Sequence, residues 1–303
     1  MGISTRSEAP VADPVALSVV IGTRQSWREV GRFVESWLPE LAEVGGEAVI
    51  ASGQGGTPKV PQGVHWLASS SDNVLLLRLQ AIRASRGRVV AIGEDHAAPR
   101  PGWCTAIVRA HEEHPEAAAI VGCLQNATSS TVAGRANFLA FAAPFQHPMP
   151  CLYPFRPPPI SALSFKHAVL AELPLHDRNP GVLEAELVPR LFADNAMEVD
   201  DRIVVDHYQD HGMLWSVINA VSNTRANYGY ATQTYSLRRR MDVARWIVSN
   251  LPHQLWTEAT ARAGRIAVEP LDLAAVAALI AATVGGAIVG TFGGPGKAGD
   301  RVA

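Results

Sequence analysis

Three side chains able to engage a cation or a diphosphate stand side by side in the stretch Val89 to Trp103, VVAIGEDHAAPRPGW. Glu94 and Asp95 are carboxylates and His96 is an imidazole. Adjacent carboxylates at a strand end can hold a divalent cation, and the cation can neutralise a diphosphate. They also accept hydrogen bonds from ribose hydroxyls. The same residues would serve as an acidic turn that caps a helix, and taken alone they leave both readings open. His207 and His211 in DHYQDHG are one turn apart if helical, and either could be a metal ligand. Singly, each is the more ordinary surface or core histidine. Glu184 and Glu186 in GVLEAEL precede an apolar stretch. A carboxylate there can act as general base toward a hydroxyl, or it can simply compensate the dipole of a first helical turn. Arg24, Arg78 and Arg83 could meet phosphates, although a solvated arginine is the default. Cys104, in the helix after PGW, reads as a packing residue.

The elements that must position these groups alternate. Leu17 to Ile21 (LSVVI) reads as a buried parallel strand ended by Gly22-Thr23-Arg24. Ser26 and Glu29 form a capping box for a helix carrying Val30, Phe33, Val34, Trp37, Leu38 and Leu41. Ala48 to Ala51 is a second strand, with Ser52 and Gly53 at its end, and Val64 to Leu67 a third. Asp72 to Arg86 is helical and stops at Gly87. Arg88 to Gly93 is the strand that delivers Glu94-Asp95-His96. Pro101 opens a helix to about His114, and Ala117 to Val121 is a fifth strand. Such alternation predicts a mostly parallel, doubly wound α/β sheet, in which ligands sit at the carboxyl ends of strands. Residues 126–160 are loop-rich, Gly181 to Phe192 is a helix limited or kinked at Pro189, and Ile203 to Val205 is a further strand.

The chain has 303 residues, 48% of them apolar and 18% charged. That fills a sizeable core and hints at a membrane contact. Twenty-six basic against 28 acidic residues give a net charge of −2, so there is no electrostatic case for nucleic acid. Cys104, Cys123 and Cys151 lie far apart and read as reduced, buried thiols. The opening residues have no apolar core, so residues 1–14 are expected to be a disordered lead with no signal peptide. Leu273 to Phe292 is twenty residues without charge, the length that spans a hydrocarbon core. It contains Gly286 and Gly290 in a GxxxG spacing.

In their order, these pieces resemble the family 2 glycosyltransferases of the GT-A fold. The resemblance rests on LSVVIGTR, on IRASRGRVVAIGEDHAAPRPGW, on Glu186-Leu187-Val188-Pro189-Arg190-Leu191, on VVDHYQDHG and on the apolar VGGAIVGTFGGPG, and it spans residues 15 to 212. It implies a Rossmann-like, mostly parallel sheet with flanking helices and a C-terminal apolar helix. It also implies transfer of a sugar from a nucleotide-sugar donor, by inverting displacement, to a saccharide or lipid-linked acceptor. The matching positions give Thr23, Arg24, Ser52, Arg78, Glu94 and Asp95 to the donor, Asp95, His96 and His207 to a divalent cation (Mn²⁺ or Mg²⁺), and Glu184 to the catalytic base. Three positions depart from the family pattern. His96 stands where a metal-binding aspartate is usual, Ser52 where an aspartate helps to read the base, and Leu79 where an asparagine often follows the arginine. An imidazole favours Mn²⁺ over Mg²⁺.

The expected organisation is a lead (1–14), a GT-A domain (15–212), a helical and basic connection (213–270), a membrane-spanning or membrane-associated helix (271–294) and a tail (295–303). The expected setting is envelope or exported polysaccharide or glycolipid synthesis at the cytoplasmic face of a membrane, with one C-terminal anchor. Two rivals stand beside this reading. One is a catalytically degenerate relative acting as a binding or scaffold subunit. The other is a nucleotidyltransferase, which would favour a glycine-rich phosphate loop that GTRQSW does not supply.

Overall fold

The computed structural model describes residues 15–149, 151–152, 154, 156–173, 179–209, 211–263 and 268–301. The expected lead 1–14 lies outside them. In chain order the elements are β1 (Leu17–Thr23), α1 (Trp27–Glu43), β2 (Glu47–Ser52), β3 (Val64–Ala68), α2 (Val74–Ala84), β4 (Val89–Ile92), β5 (Ala97–Pro99), α3 (Trp103–Glu113), β6 (Ala119–Asn126) and α4 (Val132–Phe141). There follow β7 (Leu163–Lys166), α5 (His167–Ala171), a π-turn (Leu183–Leu187) that runs into α6 (Val188–Ala193), and β8 (Met197–His207). Four helices close the chain: α7 (Met213–Thr232), α8 (Leu237–Ser249), α9 (Leu251–Ala263) and α10 (Pro270–Gly293).

The apolar runs become the strands of one eight-stranded sheet, in the order β3-β2-β1-β4-β7-β6-β8-β5. Its pairings β1–β2, β1–β4, β2–β3 and β6–β8 are parallel. The sheet is mixed, however. β7 runs antiparallel between β4 and β6, and β5 runs antiparallel along the far side of β8. Alternation did not foretell β7, because LSFK is four residues with no period of its own. Since β7 opposes both its neighbours, β1 to β4, β6 and β8 all run one way and end at one edge. Two apolar layers cover the faces. One packs α1 and α3 against Val19, Ile21 and Ile50. The other packs α2 and the π-turn against Val20, Val49 and Ile92. The expected capping box at Ser26 and Glu29 is present. Pro189 sits in the first turn of α6, directly where the π-turn tightens to an α-helix.

Gly22 fixes the approach of α2 to this edge. A β-carbon at Gly22 would meet Arg78 N at 2.5 Å and Val74 O at 2.7 Å. Only glycine lets the helix come this close, and the closeness sets Arg78 beside the end of β1.

A third apolar cluster joins α4, α7, α9 and α10. By length and composition α10 could cross a bilayer. In the fold one of its sides packs lengthwise on α7, with Val276, Leu279, Thr283, Gly286, Ala287 and Gly290 buried. Leu271, Val289 and Phe292 face outward. The chain then turns back, and the short 3-10 turn Ala298–Arg301 rests against α7 and α2. Of the three thiols expected to be buried, Cys104 and Cys123 are, but Cys151 is exposed because it lies in the irregular segment before β7, away from the core.

Candidate active site at the carboxyl edge of the sheet

Six strands delivering their ends to one edge bring Thr23, Ser52, Glu94 and His207 to the same side of the molecule. The pairing of β5 with β8 then sets the register. Ala97 lies opposite His207, and the Tyr208 amide donates to His96 O at 2.9 Å. The EDH turn is thereby fastened to the end of β8.

The side chains form a continuous chain of contacts. Thr23 Oγ1 donates to Asp95 Oδ2 at 2.5 Å, and His96 Nδ1 donates to Asp95 Oδ1 at 2.8 Å. The other ring nitrogen, His96 Nε2, lies 3.5 Å from Glu94 Oε2, which also accepts from His207 Nε2 at 3.0 Å. The two imidazoles meet edge to face, with centroids 4.8 Å apart. Ligand atoms of Glu94, His96 and His207 all fall within 4.8 Å of one another. The family resemblance implies Asp95, with His96 and His207, at the cation, and both carboxylates of the turn are candidates for it. In the structure both Asp95 oxygens are engaged by Thr23 and His96.

Burial disfavours charge on these groups, and their mutual contacts overcome it. Glu94 is penalised by burial, but the His207 hydrogen bond and the charges of His96, His207 and Arg78 hold its pKa down at about 2. Asp95 is likewise held below its ordinary value, mainly by His96 and Thr23 against burial. Burial opposes protonation of His96, and the bond to Asp95 with the charges of Glu94 and Asp95 reverses this, pushing it up to about 9. A cation at the three convergent ligand atoms would take the place of those protons.

Two cavities open beside this cluster, of about 320 and about 360 Å³, within the range of small-molecule sites. Glu94, Phe141, Arg156, Ser161, Asn223 and Asn227 border both. Arg78 and Glu184 line the smaller one and form an ion pair with each other. Both are mostly buried, and Arg78 Nε and Glu184 Oε2 have no partner among the described residues. His96 and His207 line the larger cavity.

Four candidate site residues stand elsewhere or are otherwise occupied. Ser52 is fully buried, and its hydroxyl donates to Gln25 O and accepts from Gln54 N, tying the β1 and β2 loops together. Arg24 donates to Asp300 O at 2.7 Å, so the C-terminal turn covers its guanidinium. Glu186 faces away and accepts from Asn179. His211, the other candidate ligand, stacks on Trp215 and is exposed. Sequence reading passed over the walls contributed by α4 and α7: Asn137, Phe141, Asn219, Asn223 and Asn227. The spacing of the three α7 asparagines, four residues apart on one face, was the available signal.

No protein-family model matches the sequence, and no curated protein matches it. Solved structures do resemble the fold. The mannosyltransferase PcManGT from Pyrobaculum calidifontis, in complex with GDP-Man and Mn²⁺, aligns at 12% identity over 93% of this chain and 88% of that one, with a TM-score of 0.51. TarS 1-349 from S. aureus, in complex with UDP-GlcNAc, aligns at 11% identity over 92% and 93%, with a TM-score of 0.46. With the topology described above, the likeness to PcManGT gives the chain the mixed α/β architecture of a GT-A-like fold, with flanking helices and a C-terminal apolar helix.

Proposed function

We propose that this chain is a glycosyltransferase, moving a sugar from a nucleotide-sugar donor to an acceptor in the synthesis of envelope or exported polysaccharide or glycolipid. The observation that carries the reading is the juxtaposition of Glu94, His96 and His207 with the Arg78–Glu184 pair around one pair of adjoining cavities. Fold likeness supports it, and the PcManGT complex shows that a protein of this fold can hold GDP-Man and Mn²⁺.

The residues present fit a divalent cation. Their donor set is two imidazoles and one carboxylate, which suits Mn²⁺ better than Mg²⁺. Asp95 holds His96 Nδ1 and so aims Nε2 at the site, the usual outer support of a ligating histidine. His207 Nδ1 is buried without a partner among the described residues. When bound, the cation supplies charge neutralisation for the leaving diphosphate. Arg78, which lines the smaller cavity together with Glu94, supplies a second positive group. Glu184 is the base. Its carboxylate accepts the proton of the acceptor hydroxyl as the acceptor oxygen attacks the anomeric carbon opposite the leaving diphosphate, which gives inversion. The approach of the diphosphate to Arg78 would loosen the ion pair and free Glu184 for that proton.

For the membrane we propose in-plane contact rather than a span. Both ends of α10 are fastened to one globular unit. Arg135 Nε bonds the buried Asp272 at 2.9 Å, and the tail returns to Arg24. A bilayer between these ends would break one of them. Exposed Leu237, Met241 and Val248 on α8, beside Arg238 and Arg245, suit an anionic surface.

The test is release of nucleoside diphosphate from a panel of nucleotide sugars, with Mn²⁺, with Mg²⁺ and with EDTA. Turnover with Mn²⁺ that Glu184→Gln removes supports the reading. A wild-type chain that binds donors but never turns them over would make it a binding subunit. Release of pyrophosphate from a nucleoside triphosphate would make it a nucleotidyltransferase.

A further inference from the structure

We infer that α7 forms the wall of a saccharide subsite, in which Asn219, Asn223 and Asn227 bind the hydroxyls of a neutral sugar ring. The inference rests on the glycosyltransferase reading and names what the larger cavity holds. All three asparagines line that cavity, and Asn223 and Asn227 also border the smaller one beside Glu184. Spaced by four, they fall on one stripe of the helix, with Asn227 Nδ2 donating to Asn223 Oδ1 at 3.3 Å. Asn137 from α4, 4% exposed, and Gln209 face the same space.

The chemistry of this wall selects the ligand. Its α7 residues are Asn219, Ala220, Asn223, Thr224, Asn227 and Tyr228, without a formal charge among them. Nearby cations are already answered: Arg78 by Glu184, His96 by Glu94 and Asp95, and Arg156 by the buried Glu258 at 3.3 Å. An anionic ligand would find no free charge on α7. Two acceptor atoms, Asn227 Oδ1 and Gln209 Oε1, are buried and have no partner among the described residues. A buried acceptor calls for a hydrogen-bond donor. Phosphate and carboxylate anions have none to give, whereas a sugar hydroxyl gives one and accepts another. Each amide offers two donors and an acceptor, the complement of vicinal hydroxyls. Phe141, on both cavities, supplies an apolar surface for the C–H face of a ring. The acceptor atoms would also confer selectivity, since a ligand lacking the hydroxyls leaves them unpaired.

The same ring chemistry has two sources, the sugar of the donor or a ring of the acceptor, and two assays separate them. The full-length chain with Mn²⁺ is titrated calorimetrically with UDP, GDP, ADP, CDP and dTDP and with their glucose, N-acetylglucosamine or mannose conjugates. It is also applied to an array of neutral gluco-, manno- and galacto-oligosaccharides. Asn219→Ala and Asn223→Ala are carried through both. Alanine favours helix more than asparagine does, so α7 should persist, and circular dichroism checks this. Both variants are expected to bind the free nucleoside diphosphate within about twofold of wild type. They should lose about tenfold or more either on the nucleotide sugar, which assigns the subsite to the donor, or on the array, which assigns it to the acceptor. Variants that match wild type on nucleotide sugars and glycans alike overturn the inference. So do variants that lose the free diphosphate equally. A wild-type chain that binds no nucleoside diphosphate instead overturns the glycosyltransferase reading beneath it.

Discussion

Glu94 Oε2 accepts a hydrogen bond from His207 Nε2 at 3.0 Å, although 113 residues separate them in sequence. Two strands ending at one edge, and β5 paired across Ala97 and His207, produce the contact. Because Glu94 also lies 3.5 Å from His96 Nε2, it is the point on which the cluster converges. His207→Ala should therefore lower Mn²⁺ affinity by about tenfold or more, with the strands unaffected. Calorimetric titration with Mn²⁺ reads this directly, and unchanged affinity would remove His207 from the site.

Asp95 acts one step back. It bonds Thr23 and His96 and so fixes the ring that aims at Glu94. Asp95→Asn keeps the shape but loses one of the two acceptors. Outer-shell changes of this kind typically cost about 10- to 100-fold in metal affinity or activity. The expected signature is weaker Mn²⁺ binding that excess Mn²⁺ restores, with an unchanged melting curve. Loss that no metal concentration repairs would mean that Asp95 touches the donor itself.

Glu184 is paired directly with Arg78 on the lining of the smaller cavity. Glu184→Gln leaves an acceptor for Arg78 and removes the proton-accepting charge. Transfer should fall by roughly 10² to 10⁴, while donor binding stays near wild type. A parallel loss of donor affinity would assign the pair to structure or to the diphosphate.

The strands and the EDH turn were legible because continuous apolar runs and a following acid carry strong local signals. The site itself was only half legible. Glu94 touches both histidines whereas Asp95 touches His96 and Thr23, a division between adjacent carboxylates that no spacing rule states. Ser52 matched a donor position in the sequence, yet burial and two hydrogen bonds engage it with backbone. The asparagines of α7 lay past the expected domain boundary at residue 212. Their place on the cavity wall follows from the packing of α7 against α4, which no local pattern encodes. β7 escaped for want of length, and the apolar length of α10 left spanning and membrane association both open, because it is common to spans and to core helices.

His111, buried in α3, gives a pH dependence remote from the cavities. Burial, with the nearby Lys166 charge, pulls its pKa down to about 4 from 6.5, although Ser164 partly opposes this. The folded state therefore resists a proton that the unfolded chain accepts. Stability is fully present above about 6.5 and declines as pH falls toward about 4, by roughly 3 kcal/mol in total. His111→Gln should flatten that part of the curve. The comparison is denaturant unfolding of both proteins between those pH values, and identical slopes would show that His111 does not contribute.

Gly286 and Gly290 use their spacing inside the molecule. A β-carbon at Gly286 would meet Val221 O at 2.5 Å, and one at Gly290 would meet Arg225 O at 2.4 Å, so α7 and α10 touch backbone to backbone. Gly285, one residue away, faces open space. Gly286→Leu should force the helices apart and destabilise the protein by about 1–3 kcal/mol or more. Gly285→Leu should cost nothing and gain up to about 1 kcal/mol of helix propensity. Melting temperatures of the two variants test the packing. Truncation before Pro270 tests its consequence for the membrane. If α10 belongs to the fold, the shortened chain exposes the apolar faces of α4, α7 and α9 and aggregates. A shortened chain that leaves the membrane as a folded, soluble enzyme would instead make α10 a dispensable anchor.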